Sequence, residues 1–129
     1  MASTCAEGTL HFNEDFLVIE KKYIDDDRSR WNQLGQIIEG GSGDNLGLSV
    51  DLSSDGKTLA IGALSNGVND GGYVRVYHMN ITGSWKQLGL DIDGKANGGT
   101  FGESLSLSAD GKIVASGGPL AYEKRGYVM

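Results

Sequence analysis

The side chains with the clearest potential for chemistry lie in the segment Asp91-Ile92-Asp93-Gly94, followed by Asn97. Calcium takes about six to eight oxygen ligands and prefers carboxylate and amide oxygens. Asp91, Asp93 and Asn97 are therefore candidate calcium ligands. The similar segment at residues 37–40 lacks the first acid, so a solvated strand end is the competing interpretation. We predict no catalytic residue and no other cofactor ligand.

The common catalytic and cofactor motifs are missing from the sequence. Gly56-Lys57-Thr58 resembles the end of a phosphate-binding P-loop, but the glycine required earlier in that motif falls at Asp51. Neither Gly-x-Ser-x-Gly nor Gly-x-Gly-x-x-Gly occurs. His11 and His78 have no partner at metal-ligand spacing, and the single Cys5 excludes an internal disulfide and a paired-thiol metal site. The sequence therefore favours a chain that is not an enzyme.

Charge and hydropathy limit the classes of partner. The net charge is −6 and the densest charged run is Asp25-Asp26-Asp27, so phosphate backbones and anionic membrane surfaces would be repelled. No stretch approaches the roughly 20 apolar residues of a membrane span, and the N-terminus lacks the basic start and apolar run of a secretory signal. We expect protein or glycan partners, no nucleic acid and no membrane insertion, and the compartment stays open.

Two further features bear on binding. Trp31 and Trp85 recur at equivalent positions of the repeat described below, where a tryptophan could stack on a sugar or a peptide. A residue that recurs in each unit more commonly packs between units, because each unit must bury its apolar side chains in the same way. Asn80-Ile81-Thr82 is an N-glycosylation acceptor sequence in an expected exposed turn, relevant if the protein is exported.

A tandem repeat organises the chain and positions these residues. Residues 31–40 align with residues 85–94 at an offset of 85 − 31 = 54, with six of ten positions identical. Residues 46–63 align with residues 101–118 at an offset of 101 − 46 = 55, with nine of eighteen identical. Unrelated segments agree at about one position in fifteen. The offset returns to 54 where Gly72-Tyr73-Val74 aligns with Gly126-Tyr127-Val128.

Each copy predicts four short antiparallel strands, at residues 31–38, 46–52, 58–63 and 73–78 in the first copy. Apolar residues alternate with polar ones in the second strand, which is the period of a strand with one buried face. Ser53-Ser54-Asp55-Gly56 predicts a tight hairpin turn before the third strand. In the fourth strand, Val74 and Val76 should lie on one face and Tyr73, Arg75 and Tyr77 on the other.

The glycine content favours a sheet protein, whereas the first residues of the chain allow two interpretations. There are 21 glycines in 129 residues, more than twice the usual share of about 7%, which favours many tight turns. Residues 16–19 are apolar and are interpreted as a strand, the last of a preceding unit. The alternative is a helix capped at Asn13, because Phe16, Ile19 and Tyr23 also follow a helical spacing.

Phe101-Gly102 in the second copy is followed sixteen residues later by Gly118-Pro119, with Gly117 before it. This pattern resembles the FG-GAP repeat of integrin α-subunit β-propellers and of many secreted or surface proteins. The first copy keeps half of each motif, with Leu46-Gly47 and Gly62-Ala63-Leu64 at the same positions. The resemblance covers residues 31–129. It implies a propeller architecture and an extracellular or cell-surface location.

Repeats of this family often carry a calcium loop rich in Asp and Asn, and the resemblance places that loop at residues 51–58 and 106–113. The first segment offers only Asp51 and Asp55 as carboxylates, and the second only Asp110. These are too few for calcium. We therefore interpret Asp55 and Asp110 as turn-forming residues, a departure from the family pattern.

The predicted fold is all-β, with tandem four-stranded antiparallel blades that make up part of a β-propeller: about two blades plus an N-terminal segment. A sandwich of two tandem sheets is the alternative. The division is 1–30 as the N-terminal segment, 31–84 as the first blade and 85–129 as a truncated second blade. Further blades or self-association are expected, because a few blades leave strand edges exposed.

The predicted function is a non-catalytic repeat module that binds a protein or a glycan or serves as a scaffold. One alternative is a fragment of a propeller-bearing, carbohydrate-active enzyme, which would show buried carboxylates converging at the mouth of a pocket. Another is a truncated gene product without independent function.

Overall fold

The chain is all-β in the computed structural model, which describes residues 7–13, 16–23, 30–65, 70–121 and 125–129. These residues form eleven strands in three antiparallel sheets that follow one another along the chain. Side chains are described from Trp31 onward, with the same gaps. The all-β prediction is confirmed.

The first sheet consists of β1 (Glu7–Asn13), β2 (Phe16–Tyr23) and β3 (Arg30–Gln33), in that order. β1 and β2 form a hairpin in which Leu10 lies opposite Ile19, and β3 pairs with the other edge of β2. The strand interpretation of residues 16–19 is therefore confirmed, and the capped-helix alternative is wrong.

The central sheet contains the strands β4 (Ser49–Leu52), β5 (Thr58–Ala63), β6 (Tyr73–Met79) and β7 (Trp85–Gln87) as a meander. The short β8 (Ile92–Asp93) pairs with the start of β6. Every residue of β5 is buried, as expected of a strand with neighbours on both edges and both faces. The predicted alternation in the fourth strand is confirmed. Tyr77 lies opposite Leu59 on the face with the large apolar side chains, whereas Val74 lies opposite Gly62 on the other face.

The third sheet consists of β9 (Ser104–Leu107), β10 (Val114–Gly118) and β11 (Tyr127–Val128), with β10 in the middle. Its strands are the repeat counterparts of β4, β5 and β6. Glycines with positive φ recur at the same offsets, with φ +69° at Gly56 and +70° at Gly111, and +98° at Gly47 and +91° at Gly102. The two copies of the repeat therefore share a backbone course, as the sequence alignment predicts.

The sheets and the sequence repeat differ in phase by one strand. The first strand of each copy was expected at residues 31–38 and from Trp85 onward, at the start of that copy's sheet. In the structure Trp85 lies opposite Met79, so β7 completes the central sheet, and its counterpart β3 belongs to the first sheet. The tight turn at residues 80–84 brings β7 back beside β6, which explains this pairing. The divisions at 30/31 and 84/85 therefore describe the repeat, and they do not coincide with sheet boundaries.

One face of the central sheet carries the large apolar side chains. Leu59, Ile61, Tyr77 and Trp85 are buried there together with Ile38 from the segment before the sheet. Each such side chain contributes about 1.5–3 kcal/mol through removal of apolar surface from water. Trp85 is 4% exposed, so its predicted core position is confirmed, whereas the equivalent Trp31 is 42% exposed.

Candidate functional site

The predicted calcium ligand Asp91 is engaged by an arginine. Arg75 donates two hydrogen bonds of 2.8 Å to the two oxygens of Asp91, and Gln87 donates a third of 2.7 Å to Oδ1. The hydrogen bond from Arg75 is the main cause that lowers the pKa of Asp91 below its usual range. Both charged side chains are partly buried at the edge of the central sheet, where such a two-pronged pair is geometrically specific.

The other two predicted ligands lie in exposed positions. Asp93 is in β8 opposite Tyr73, and Asn97 is in the turn that follows. Among the described residues no group of three or more His, Cys, Asp or Glu side chains is arranged to hold a metal ion. A calcium ion at Asp91 would have to compete with the Arg75 guanidinium. The calcium assignment of Asp91, Asp93 and Asn97 stays a prediction.

A second polar cluster joins the loop before the central sheet to β6. The Tyr73 hydroxyl donates a 2.8 Å hydrogen bond to Oδ2 of Asp44, and the Gly41 amide donates to the same oxygen at 2.8 Å. Burial and the hydrogen bond to Asp44 raise the pKa of Tyr73. The guanidinium of Arg75 stacks over the Tyr73 ring at 4.5 Å from its centroid. These contacts hold the loop around Asp44 against β6.

The two Asp-Gly turns have the same hydrogen bonds. The Ser53 hydroxyl donates to Asp55 Oδ1 at 2.6 Å, and the Lys57 amide donates to the same oxygen at 3.0 Å. In the second copy Asp110 Oδ1 accepts from Ser108 and from the Lys112 amide in the same way. The prediction that Asp55 and Asp110 form turns is confirmed.

The central and third sheets contact each other through small and polar residues on the face of the central sheet opposite its apolar core. Oδ2 of Asp51 accepts a 2.6 Å hydrogen bond from the Leu107 amide, and the Ser49 hydroxyl donates to the Gly102 carbonyl at 2.5 Å. A Cβ on Gly62 would lie 2.0 Å from that carbonyl oxygen, so only glycine permits the approach. Asp51, which the family resemblance placed in a calcium loop, therefore joins two sheets.

A cavity of about 500 Å³ opens on the outer side of the third sheet. Its lining includes Ser104 of β9, Gly117 of β10, and Arg125, Gly126 and Val128 at β11. Glu103 is the one carboxylate among the described residues that line the cavity.

Several of these residues were not anticipated as site residues. Arg75 was placed on the correct face but without a partner, and Asp44 and Tyr73 were not connected. Asp91 lies 16 residues from Arg75 in the sequence, and Asp44 lies 29 residues from Tyr73. No local sequence pattern indicates pairs that are this far apart. The Asn80-Ile81-Thr82 acceptor lies in an exposed turn, as expected.

Comparison of the chain with family models, with curated proteins and with solved structures gave no match. In the part of the chain that the structure describes, no helix has the length and apolar character needed to cross a membrane.

Proposed function

We propose that the chain is a non-catalytic β-propeller repeat module of the FG-GAP type that serves as a scaffold and binds a protein or a glycan. The observation that carries this proposal is the stacking of the central sheet on the third sheet through equivalent strands, β4 against β9. Successive propeller blades stack in the same manner, each on its neighbour in the chain.

The arrangement of large and small residues supports the stacked-blade interpretation. The central sheet has a bulky face with Leu59, Ile61 and Trp85 and a small face with Ala60 and Gly62, which alternate along β5 and its neighbours. A bulky face packs on the small face of the next sheet when identical units stack in one direction. A sandwich would instead bury two bulky faces against each other.

The exposed tryptophan suggests where a partner would bind. Trp31 is 42% exposed on β3, whereas its counterpart Trp85 is buried and donates a 3.0 Å hydrogen bond from Nε1 to the Leu34 carbonyl. The exposed part of an indole ring offers an apolar surface on which a sugar or a peptide can stack. Trp31 is therefore the residue through which we propose contact with the partner.

A glycan array and a panel of immobilised proteins, probed with the full chain, test the binding function. We expect a hit whose binding changes the fluorescence of Trp31 and is lost in Trp31→Ala, with no turnover of glycoside substrates. Ile81→Ala is the matched control, since Ile81 is a fully exposed apolar residue in the turn between β6 and β7. Turnover of a glycoside by the purified chain would contradict the proposal.

A further inference from the structure

Equivalent positions on the small face of the central and third sheets differ sharply in exposure. Thr58 is 6% exposed and Val74 is 0% exposed in the central sheet. Their counterparts in the third sheet are Ile113, at 68%, and Val128, at 75%. The exchange of a threonine for an isoleucine makes the exposed face more apolar than the buried one. Apolar residues exposed on one face of a sheet are typical of an interaction surface.

The structure shows what covers this face in the central sheet. The Phe101-Gly102 turn lies on it, with the Phe101 amide donating to the Gly71 carbonyl at 2.9 Å and the Gly102 carbonyl accepting from Ser49. Gly72 forms a parallel bridge with Phe101, and a Cβ on Gly72 would lie 1.9 Å from the Phe101 carbonyl oxygen. The turn therefore fits a socket made of glycines and one serine hydroxyl.

The 500 Å³ cavity on the third sheet is lined by the counterparts of these residues. At the offset of 55, Ser104 and Gly117 are the counterparts of Ser49 and Gly62. At the offset of 54, Arg125 and Gly126 are the counterparts of Gly71 and Gly72. In the described part of the chain, a Cβ on Gly117 would meet the Ser104 hydroxyl at 3.1 Å and the Tyr127 carbonyl oxygen at 3.8 Å. At Gly62 the equivalent space is filled by the Gly102 carbonyl.

We propose that this cavity is the socket for an aromatic–glycine turn carried by a further copy of the 54-residue unit. The Ser104 hydroxyl donates to the carbonyl of the incoming glycine, and the backbone of Gly126 pairs with the incoming aromatic residue as that of Gly72 pairs with Phe101. The incoming glycine needs the positive φ that Gly47 and Gly102 adopt, so other residues at that position are disfavoured. This inference rests on the proposed function, since it assumes a stack of like units.

A second observation points independently to the same occupant. In the first copy, Gly35 lies under the Trp85 ring of the next strand, where a Cβ would be 2.7 Å from Cδ1, and the Leu34 carbonyl accepts from the indole. The counterparts are Leu88, which is 50% exposed, and Gly89, where a Cβ would meet no atom of the described residues within 4 Å. A tryptophan from a further unit would fit over Leu88 and Gly89 as Trp85 fits over Leu34 and Gly35.

The test compares the 129-residue chain with an extended chain in which residues 76–129 are repeated directly after Met129. This extension continues the repeat in register, because 129 − 54 = 75. Gly117→Ala is introduced into both chains. Alanine at this position does not require positive φ. Among the described residues of the 129-residue chain its Cβ meets the Ser104 hydroxyl at 3.1 Å and the Tyr127 carbonyl oxygen at 3.8 Å, but it would collide with an incoming glycine carbonyl.

We expect Gly117→Ala to lower the Tm of the extended chain by about 5 °C or more and that of the 129-residue chain by about 1 °C or less. Gly62→Ala is the positive control, because the space at Gly62 is filled by the Gly102 carbonyl. This substitution should lower the Tm of both chains. Equal effects of Gly117→Ala on both chains would overturn the proposal. So would a 129-residue chain that sediments as a dimer and becomes monomeric with Gly117→Ala, because a second copy would then be the occupant. Neither result depends on glycan or protein binding, so the proposed function is tested separately.

Discussion

The Tyr73 hydroxyl makes the stability of the chain sensitive to alkaline pH. Burial and the hydrogen bond to Asp44 raise its pKa above the usual value of about 10, and burial raises that of Tyr77 in the same direction. The folded state therefore keeps these protons at a pH where the unfolded chain releases them. Their stabilising contribution is present below about pH 10 and is lost as pH rises through the folded-state pKa.

We expect Tyr73→Phe to lower the free energy of unfolding at pH 7 by about 1–3 kcal/mol, because Asp44 loses its buried donor. The decline in stability above about pH 10 should be shallower in the variant than in the wild type. Urea unfolding at pH 7 and at several values above pH 9 measures both effects. Tyr127→Phe is the control, since the Tyr127 hydroxyl accepts from the exposed Lys95 amide and its loss should cost less. Equal costs for the two variants would contradict the argument.

The Arg75–Asp91 pair acts at the opposite end of the pH range. Its hydrogen bonds hold the pKa of Asp91 below the usual value of about 3.9, so the stabilisation is present above that value and is lost as pH falls through the folded-state pKa. Asp91→Asn should lower the free energy of unfolding at pH 7 by about 1–3 kcal/mol. The difference from the wild type should shrink below about pH 4.

Chemical denaturation of wild type and Asp91→Asn across pH 2–7 tests this expectation. Asp93→Asn serves as the control, because Asp93 is exposed in β8 and its substitution should have little effect. A gap between wild type and Asp91→Asn that stays constant down to pH 2 would show that the charge of Asp91 is not the source of the stabilisation.

At the scale of the elements, the two Asp-Gly hairpins have the same backbone but different surroundings. Gly56 and Gly111 share φ near +70°, so an alanine at either position costs about 1 kcal/mol from backbone strain. Among the described residues, a Cβ on Gly56 would touch only Leu52 Cδ2 at 4.0 Å, whereas a Cβ on Gly111 would lie 2.6 Å from Thr58 Oγ1. The second hairpin packs against the central sheet, so its glycine is needed for space as well as for conformation.

Gly111→Ala should therefore destabilise the chain by about 1–3 kcal/mol more than Gly56→Ala. Thermal or urea unfolding of the two single variants measures the difference. Substituting Thr58→Ala in the Gly111→Ala background removes the hydroxyl oxygen at 2.6 Å and the methyl group at 3.2 Å and should recover part of the loss. Equal losses of stability in Gly56→Ala and Gly111→Ala would mean that the second hairpin does not pack closely against Thr58 in solution.

The elements that the sequence predicts well are those set by local rules. The Ser-x-Asp-Gly turns follow from residues within five positions of each other, and the strand alternation at residues 73–77 follows from the period of two. The sequence repeat places Trp85 at the start of the second unit, whereas β7 belongs to the central sheet. The repeat defines the length of the unit but not the point at which one sheet ends and the next begins. The pairing of Arg75 with Asp91, and of Asp51 with the Leu107 amide 56 residues away, depends on how the chain folds back on itself.

At the scale of the whole molecule, stability should differ between the central and third sheets rather than be uniform. β5 is buried along its full length and is hydrogen-bonded on both edges, while β10 has only two buried residues among its five. In a stack of repeats each unit is stabilised by its neighbours, so a sheet with one covered face opens more readily than a sheet with two.

Hydrogen exchange followed by mass spectrometry measures this gradient directly. Peptides covering β5 and β6 should exchange most slowly, and those covering β9 and β10 about tenfold faster or more, which corresponds to an opening free energy lower by about 1.4 kcal/mol. The covered face of the central sheet provides an internal control: Gly62→Ala, which pushes the Phe101-Gly102 turn away from β5, should bring the exchange of the central sheet closer to that of the third. Uniform exchange over both sheets would show that they open as one cooperative unit, and the exposed face of the third sheet would then carry no energetic penalty.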